Sequence, residues 1–249
     1  MEQVGEKVRQ IATLLQESGR TVVLTGAGVS TESGIPDFRS PGSGLWTRVA
    51  PELFTIQGFK ADPAQFYNLG KEFFYLIRAA APNETHLVLG ELQKRGLVKT
   101  IITQNVDGLH QKGGAVHVLE IHGSLRTASC IFCRRRVSME LVIADLEEGL
   151  IPPLCVECGE PVKPDVILFG EPMPASYREA LAEAGSADCI MVIGSSMQVS
   201  PANLLPGLID NLVIINRERT FYDDRARVVI HGATSETMSL IFEQVNACG

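Results

Sequence analysis

The sequence predicts an α/β protein built on a Rossmann-like, doubly wound parallel β-sheet, together with a small second domain. Short apolar, β-branched segments of the kind that form buried parallel strands recur along the 249 residues. Segments of helical periodicity separate most of them, as a parallel sheet requires. Two long segments interrupt this alternation, and we expect them to form the second domain.

Seven segments are predicted to be strands: 21–24, 100–102, 116–119, 166–168, 190–193, 212–215 and 228–230. Each is predicted to be a strand that is buried on both faces of the sheet. The helices predicted between and around them are 4–18, 83–95, 174–185, 201–209 and 234–246. Thr234 or Ser235 is the expected N-cap of the last helix.

The two interrupting segments differ in character. Segment 36–82 is rich in Pro, Gly and aromatic residues and becomes helical from Gln65 to Ala80, whereas 125–163 carries four cysteines and has weak periodicity. If the two pack together, they leave a cleft beside the large domain. The expected division is a large domain built on the doubly wound sheet (1–35, 83–124 and 164–249), a loop with a helical module (36–82) and a cysteine-bearing module (125–163).

The composition is that of a compact globular protein. Apolar residues make up 45% of the chain and charged residues 20%, and 29 Asp and Glu outnumber 22 Lys and Arg, for a net charge of −7. A chain of this length buries roughly 70–75% of its unfolded surface, which excludes a disordered or fibrous protein. The acidic balance argues against broad nucleic-acid binding, because such binding needs many cations on phosphates.

The sequence also predicts a cytoplasmic protein with no membrane span. The longest apolar runs, such as 189–193, are far shorter than the ~20 residues that a bilayer-spanning helix needs. Residues 1–18 alternate charged and apolar side chains at helical spacing, which favours an amphipathic surface helix over a signal peptide. In a reducing compartment, the six cysteines favour metal ligation over disulfides.

A glycine-rich loop, Gly26-Ala27-Gly28-Val29-Ser30, directly follows the first predicted strand. Glycines allow a tight turn in which backbone N–H groups and a helix N-terminus hold a pyrophosphate. Thr31 breaks the G-x-G-x-x-G pattern of dehydrogenases, and no acidic residue ends the next strand to bind a ribose. These departures disfavour hydride transfer, and a plain glycine turn is the alternative to a phosphate site.

The loop continues as Gly34-Ile35-Pro36-Asp37-Phe38-Arg39. A stiff turn that presents an acid, an aromatic ring and a guanidinium next to a phosphate loop is suited to closing over a ligand. The simpler interpretation is a surface ion pair between Asp37 and Arg39, with Phe38 in the core.

Four cysteines form two Cys-x-x-Cys pairs, Cys130 with Cys133 and Cys155 with Cys158, and 21 residues separate the pairs. This spacing supplies four thiolates for tetrahedral Zn²⁺. Four sulfur ligands leave no position for water, so we expect a structural metal. A zinc ribbon that binds nucleic acid through 134–136 is the alternative, and one basic triplet on an acidic chain disfavours it.

Polar residues follow the predicted strand 100–102: Gln104, Asn105, Asp107 and His110. In open α/β sheets, ligands bind beyond the carboxyl ends of the strands, where these side chains lie. Each also has a structural interpretation: Asn105 or Asp107 as a helix cap, and His110 as a surface histidine.

His122, followed by Gly123, ends the next predicted strand region. A histidine there is suited to general-base catalysis near neutral pH. Two later loops complete the polar set. Gly194-Ser195-Ser196 is a candidate phosphate contact, and 216–218 is a candidate contact to a ribose or an adenine.

Taken together and in this order, these motifs resemble those of the sirtuin family of NAD-dependent protein deacylases. They are the glycine loop, Gly34 to Arg39, the Thr103-Gln104-Asn105-x-Asp107-x-Leu109-His110 segment, His122-Gly123, the four cysteines and Gly194-Ser195-Ser196. The resemblance runs from residue 26 to about 218. It implies that NAD is consumed as a co-substrate, that one Zn²⁺ is structural, and that acetyl is transferred from lysine to ADP-ribose. Protein ADP-ribosyl transfer is the alternative activity.

The resemblance also implies the roles of individual residues. His122 is the base and Asn105 is a second catalytic residue, and the acetyl-lysine peptide adds as a strand between two loops that contain Ile167, Phe169, Gly170, Glu171, Gln198 and Val199. The implied cofactor-binding residues are Gly26, Ala27, Gly28, Ser30, Asp37, Phe38, Arg39, Trp46, Gln104, Asn105, Asp107, Gly194, Ser195, Ser196, Asn216, Glu218 and Thr234. Arg217 departs from the apolar residue of many relatives.

The acyl group is expected to be acetyl. Relatives that favour succinyl or malonyl groups resemble one another in a Tyr-x-x-Arg pair, and here Tyr67 is followed three positions later by Gly70. Lys71, on the same helix face as Tyr67, is the nearest substitute for the missing cation.

Overall fold

The structure is a computed structural model that describes residues 2–37 and 54–247. Its larger sheet has six parallel strands in the order β3-β2-β1-β7-β8-β9. The strands are β1 (Thr21–Thr25), β2 (Thr100–Thr103), β3 (Val118–Glu120), β7 (Cys189–Ile193), β8 (Leu212–Ile215) and β9 (Val228–Ile230). This is the doubly wound order of dinucleotide-binding sheets, and it confirms the predicted fold class.

Helices cover both faces of this sheet. Alternate side chains of β1 point to opposite faces, so Val23 packs in one core while Val22 and Leu24 pack in another. The first core includes residues of α1 (Glu2–Glu17), α4 (Glu84–Lys94) and α8 (Thr234–Ala247). The second includes residues of α7 (Ala175–Gly185) and of a 3₁₀ helix, Ala202–Leu208. Burial on both faces explains the continuous apolar runs in the central strands.

A second, antiparallel sheet has the order β5-β4-β6, with β4 (Gly123–Cys130), β5 (Arg136–Ser138) and β6 (Val162–Val166). It shares a separate core with α2 (Ile56–Ala61), α3 (Pro63–Ala79) and α6 (Met139–Glu147). Tyr67 joins α3 to the sheet, because its buried hydroxyl donates to the Val162 carbonyl at 2.7 Å. The helical and cysteine-bearing segments therefore pack together as predicted.

Some of the predicted secondary structure needs correction. The strand expected at 166–168 runs from 162 to 166 and belongs to the small sheet. The segment predicted as an α-helix at 201–209 is the 3₁₀ helix, which contains Pro206. Helix α6 lies in the segment that was assigned no helix, and Ser138 caps it by accepting from the Glu140 N–H at 3.2 Å.

The strand order places the functional loops. It reverses between β1 and β7, which are neighbours in the sheet but far apart in sequence. Ligands of doubly wound sheets bind at this reversal, beyond the carboxyl ends of the strands. The glycine loop follows β1 there and Gly194 follows β7, with the short α5 (Leu109–Lys112) beyond β2. Within the ranges described, we found no helix with the length and apolar character needed to cross a bilayer.

Candidate active site

A cavity of about 940 Å³ opens at this edge of the large sheet. It reaches from the glycine loop to the turn after β6 and so lies between the two sheets. Nineteen predicted site residues line it: Gly26, Ala27, Gly28, Asp37, Gln104, Asn105, His122, Ile167, Phe169, Gly170, Glu171, Gly194, Ser195, Ser196, Gln198, Val199, Asn216, Glu218 and Thr234.

The other predicted cofactor-binding residues fall into two groups. Ser30 and Asp107 are buried behind the cavity wall. Phe38, Arg39 and Trp46 lie outside the described residues.

Glycines let two cavity loops interlock backbone to backbone. The Gly28 N–H donates to the Gly194 carbonyl at 2.8 Å. A Cβ on Gly28 would lie 2.7 Å from that oxygen, and one on Gly26 would lie 2.8 Å from the Ser195 Cβ. Gly194 itself has φ +61°. The glycines therefore serve the contact between the loops as well as any approach of a ligand to the backbone.

Asn105 is oriented by a chain of buried hydrogen bonds. Its Nδ2 donates to the Gly26 carbonyl and to the Ser30 Oγ, both at 3.1 Å. Ser30 in turn donates to Asp107 Oδ2 at 2.7 Å, and the Leu109 N–H donates to Asp107 Oδ1 at 2.9 Å. Both amide protons of Asn105 are used, which leaves its Oδ1 as the polar atom available to a ligand.

Gln104 connects the glycine and serine loops. Its Nε2 donates to the Ser195 Oγ at 3.0 Å, and its backbone N–H donates to the Thr25 carbonyl at 3.0 Å. The carbonyl of Gln104 also accepts a hydrogen bond from His122, so this one residue links three sides of the cavity.

His122 is held as a neutral imidazole. Its Nδ1 lies 3.0 Å from the Gln104 carbonyl, which can only accept, so Nδ1 carries the proton and Nε2 has a free lone pair. Burial lowers the pKa of the imidazole more than this hydrogen bond raises it. The ring therefore meets the two requirements of a general base: an available lone pair and a neutral resting state.

The turn from Ile167 to Glu171 forms another side of the cavity. The Ile167 N–H donates to the His122 carbonyl at 2.8 Å. Phe169 makes a parallel bridge to Thr55, and its side chain is 49% exposed. The Glu171 carboxylate points into the protein, 3.0 Å from Lys163 Nζ.

An apolar wall that was not predicted from the sequence lines the same cavity. Its members share large hydrophobic side chains drawn from remote segments: Phe54, Phe66, Phe73, Phe74, Val106 and Leu125. Part of it could have been found, because the three phenylalanines of α3 are spaced i, i+7 and i+8 and so share a helix face. The contributions of Val106 and Leu125 depend on tertiary packing.

The loop after β8 closes the far end of the cavity. Asn216 Nδ2 donates to the Glu218 carbonyl at 2.9 Å, which shapes this loop. Glu32 accepts from the Ser235 N–H at 3.1 Å and from Thr234 Oγ1 at 3.4 Å. Arg217 lies 3.7 Å from the other oxygen of Glu32 and is largely exposed, which gives this chain a cation beside the loop.

The interpretation of His110 as a surface histidine is wrong. Its side chain is buried against His86, with ring centroids 4.9 Å apart. Its Nε2 lies 2.9 Å from Thr25 Oγ1, which itself donates to Thr103 Oγ1 at 2.8 Å. The pair therefore packs against the carboxyl ends of β1 and β2, just before the cavity loops begin.

The four predicted metal ligands come together at one end of the small sheet. Their sulfur atoms all lie within 4.8 Å of one another, with 3.4 Å between Cys130 and Cys158 and 3.6 Å between Cys133 and Cys155. Tetrahedral Zn²⁺ with bonds of about 2.3 Å separates its sulfurs by about 3.8 Å. N–H groups of Phe132 and Cys133 lie 3.4 Å from the Cys130 Sγ. The cluster fits a structural zinc site.

Comparison with known proteins supplies independent observations. A family model described as the Sir2 family matches residues 26–201. The NAD-dependent protein deacetylase 2 of Caldanaerobacter subterraneus subsp. tengcongensis is 45% identical over 240 residues, which are 96% of each chain. The NAD-dependent protein deacetylase of Caldivirga maquilingensis is 43% identical over 95% of this chain and 93% of its own.

Solved structures resemble the whole architecture. A structure from work on the mechanism and regulation of Sir2 enzymes superposes with a TM-score of 0.90 at 39% identity, covering 98% of this chain and 99% of that one. A Sir2 structure with a p53 peptide and NAD⁺ gives a TM-score of 0.89 at 37% identity, covering 96% and 98%. The relatives therefore match both the sheet and the small unit beside it.

Proposed function

The chain belongs to the Sir2 family, and from this premise we propose that it is an NAD-dependent protein-lysine deacetylase. It transfers the acetyl group of an acetyl-lysine side chain to ADP-ribose, with release of nicotinamide and O-acetyl-ADP-ribose. The substrate is a protein or peptide that binds as an added strand, without membrane or nucleic-acid partners.

One observation carries this proposal: a single cavity combines a neutral imidazole, interlocked glycine loops and an apolar wall. Glycine loops suit a pyrophosphate, the imidazole suits proton transfer, and the apolar wall suits an acyl-lysine chain. A nicotinamide dehydrogenase would need neither the base in this position nor an opening beside the turn of Ile167 to Glu171.

The proposed roles in NAD binding follow the order of the loops. Backbone N–H groups from Gly26 to Gly28 and the loop 194–196 hold the phosphates, with Ser30 and Asp107 acting from behind through Asn105. Gln104 and Asn105 face the nicotinamide and its ribose. The adenosine side lies against Asn216, Glu218 and Thr234. Asp37, Phe38, Arg39 and Trp46 are proposed to cover the nicotinamide ribose.

The proposed reaction begins at the acetyl-lysine amide. Its oxygen attacks C1′ of the nicotinamide ribose, the C1′–N bond breaks, and nicotinamide leaves with the electron pair. Because an amide oxygen is a weak nucleophile, the apolar wall must hold it in line and exclude water. His122 Nε2 then accepts the proton of a ribose hydroxyl, whose oxygen attacks the imidate carbon. Water completes the release of free lysine and O-acetyl-ADP-ribose.

Zinc has a structural role in this proposal. Cys130, Cys133, Cys155 and Cys158 hold it, and bound zinc supplies folding free energy to the small unit. Thiolate ligands must stay reduced, and this requirement supports a reducing compartment such as the cytoplasm. The sulfur separations of 3.4 and 3.6 Å, far beyond a disulfide bond, agree with this proposal.

Mass spectrometry of the protein incubated with NAD and an acetyl-lysine peptide tests the proposal. We expect free-lysine peptide, nicotinamide and O-acetyl-ADP-ribose in equal amounts. ADP-ribose on a protein, with the acetyl group retained, would instead identify an ADP-ribosyltransferase. Nicotinamide release that does not depend on the peptide would contradict the deacetylase assignment.

A further inference from the structure

A nearly buried ion pair anchors the turn from Ile167 to Glu171. Lys163 Nζ lies 3.0 Å from Glu171 Oε2, with side-chain exposures of 14% and 20%. The same ammonium donates to the carbonyls of Pro164 at 3.0 Å and Val166 at 2.8 Å. An ammonium has three protons, so every donor of Lys163 is used within this short stretch of chain.

The Glu171 carboxylate closes the turn from the other side. Its Oε2 also accepts from the Leu168 N–H at 2.8 Å, while the Glu171 N–H donates to the Leu168 carbonyl at 3.0 Å. Gly170, between them, has φ +88°, a conformation that favours glycine. The conformation of the turn therefore depends on a carboxylate that is largely buried and has Lys163 as its charge partner.

The turn is also hydrogen-bonded to its surroundings through the backbones of Ile167 and Phe169. The Ile167 N–H donates to the His122 carbonyl at 2.8 Å, and the Phe169 N–H donates to the Phe54 carbonyl at 3.0 Å. The Ile56 N–H donates to the Phe169 carbonyl at 3.0 Å. In the described part of the chain, no hydrogen bond uses the backbone of Gly170. Both the N–H and the carbonyl of Gly170 are therefore available to pair with an extended peptide.

We infer that Lys163 and Glu171 are positioning residues for the acyl-lysine peptide. Neither touches the reacting atoms, and both act through the turn, which presents the Gly170 backbone to the peptide at a fixed distance from His122. This inference rests on the proposed deacetylase function. It also gives Glu171 a role that its sequence position did not suggest, because its carboxylate serves the turn and not the substrate.

Loss of one partner should affect peptide binding selectively. Removing Lys163 leaves the Glu171 carboxylate buried without its charge partner, and such a group turns toward water at the expense of the turn. The loops proposed to hold NAD lie after β1, β2, β7, β8 and β9, and they make no hydrogen bond to the side chains of this pair in the described structure. The expected signature is therefore a raised KM for peptide with an unchanged KM for NAD.

Steady-state kinetics of Lys163→Met, with peptide and NAD varied in turn, provides the test. We expect the peptide KM to rise about tenfold, while kcat and the NAD KM stay within about threefold. Lys163→Arg, which keeps the cation, should recover much of the loss. The matched control is Lys94→Met, because Lys94 lies on α4, is 59% exposed and pairs with Glu91 at 3.6 Å. Its kinetics should resemble those of the wild type.

A double variant tests the inference even if Lys163→Met does not fold. Lys163→Met combined with Glu171→Met replaces the pair by apolar side chains and leaves no buried charge, so it should fold and still show the raised peptide KM. Anisotropy of a fluorescein-labelled acetyl-lysine peptide gives the same comparison without turnover. An unchanged peptide KM and affinity in folded Lys163→Met would overturn this inference alone. A wild-type protein that does not deacetylate would overturn the proposed function and this inference with it.

Discussion

At the residue scale, His122 shows how burial and one hydrogen bond together keep an imidazole neutral and leave one of its nitrogens with a free lone pair. Burial lowers the pKa of the imidazole, and the Gln104 carbonyl, which favours a protonated Nδ1, raises it by less. The net effect keeps the ring neutral, and the position of the carbonyl assigns the lone pair to Nε2. Sequence analysis predicted a base at this position, but the identity of the basic nitrogen depends on the fold.

We expect His122→Ala to reduce deacetylation at least about a hundredfold, because positioned bases contribute on this order. NAD binding should persist, since His122 has no proposed phosphate contact. Because the pKa is lowered, wild-type kcat/KM should fall only when the pH drops below the ordinary histidine value of about 6.5. Rates measured from pH 5 to 8, with His117→Ala as the control, check this. Wild-type turnover in His122→Ala would remove the assignment.

The acyl preference is also decided by single residues. Tyr67, the one member of the succinyl-binding pair that this sequence retains, is buried and donates to the Val162 carbonyl. Its hydroxyl is thus engaged in the small sheet. Among the lining residues that the structure describes, Arg217 is the only Lys or Arg, and it lies beside Glu32 at the far end of the cavity. Among the described residues, an acyl carboxylate would therefore find no cationic partner near the apolar wall.

We therefore expect acetyl-lysine to be preferred over succinyl-lysine by roughly a hundredfold in kcat/KM, because burying an unpaired charge costs several kcal/mol. The measurement compares acetylated and succinylated versions of one peptide. Lys71→Met is the matched control and should leave the ratio unchanged, since Lys71 does not line the described cavity. Comparable kcat/KM values for the two peptides would refute the expectation.

At the scale of elements, loops and helices meet through contacts that the sequence suggests only in part. The glycine loop was predicted to approach a phosphate, yet its closest backbone neighbour is Gly194, from a strand more than 160 residues away. The Asp107 carboxylate was a candidate helix cap and a candidate ligand contact. In the structure the N-cap of α5 is Gly108, and Asp107, one residue earlier, accepts from the Leu109 N–H at 2.9 Å. Predicting such contacts from the sequence requires knowing which loops become neighbours in the fold.

The buried pair of His86 and His110 links α4 to α5, and its tautomers follow from their partners. The Asn83 N–H donates to His86 Nδ1 at 3.2 Å, so His86 carries its proton on Nε2. Thr25 Oγ1 donates to Thr103 and therefore accepts from His110 Nε2. His110 thus carries its proton on Nε2, and its Nδ1 is unprotonated. The Nε2–H of His86 and the Nδ1 of His110 are thus a buried donor and a buried acceptor, and neither has a hydrogen-bond partner in the described structure.

This pair should make stability depend on pH. Desolvation lowers the pKa of His86 to about 4 and that of His110 well below its ordinary value. Between pH 4 and about 6.5 the unfolded chain then binds more protons than the folded one, so the free energy of unfolding falls as the pH falls through this range. Urea midpoints at pH 7.5, 6 and 5 measure the slope.

Substitution separates this pair from the other titrating groups. His86→Gln removes one titrating ring and should flatten the slope of stability against pH. His117→Gln, whose ring takes no part in the pair, is the matched control and should retain the wild-type slope. A slope in His86→Gln as steep as in the wild type would exclude the pair as its source.

At the scale of the whole molecule, the sequence predicts the large sheet well and the small unit less well. The four central strands, β1, β2, β7 and β8, are buried along their whole length, so each is a continuous apolar run that can be recognised without knowing its neighbours. The small sheet is partly exposed, and β6 contains Pro164 and two charged residues, so its hydrophobic pattern does not identify a strand. Cavity residues such as Val106 and Leu125 escaped notice because their role arises from the packing of the two units.

Zinc removal should show how far the site depends on the small unit. Strand β4 begins directly after His122, and β6 ends directly before Ile167, so the strands that lead to the cysteine cluster also position two sides of the cavity. We expect one Zn²⁺ per chain by elemental analysis.

Cys133→Ser should lose the metal, unfold the small unit in a separate early transition and reduce deacetylation, while the six-stranded sheet melts as in the wild type. Cys189→Ala, which removes a buried thiol in β7, is the matched control and should keep both zinc and activity. Full activity in zinc-free protein would show instead that the cavity holds its shape without the metal.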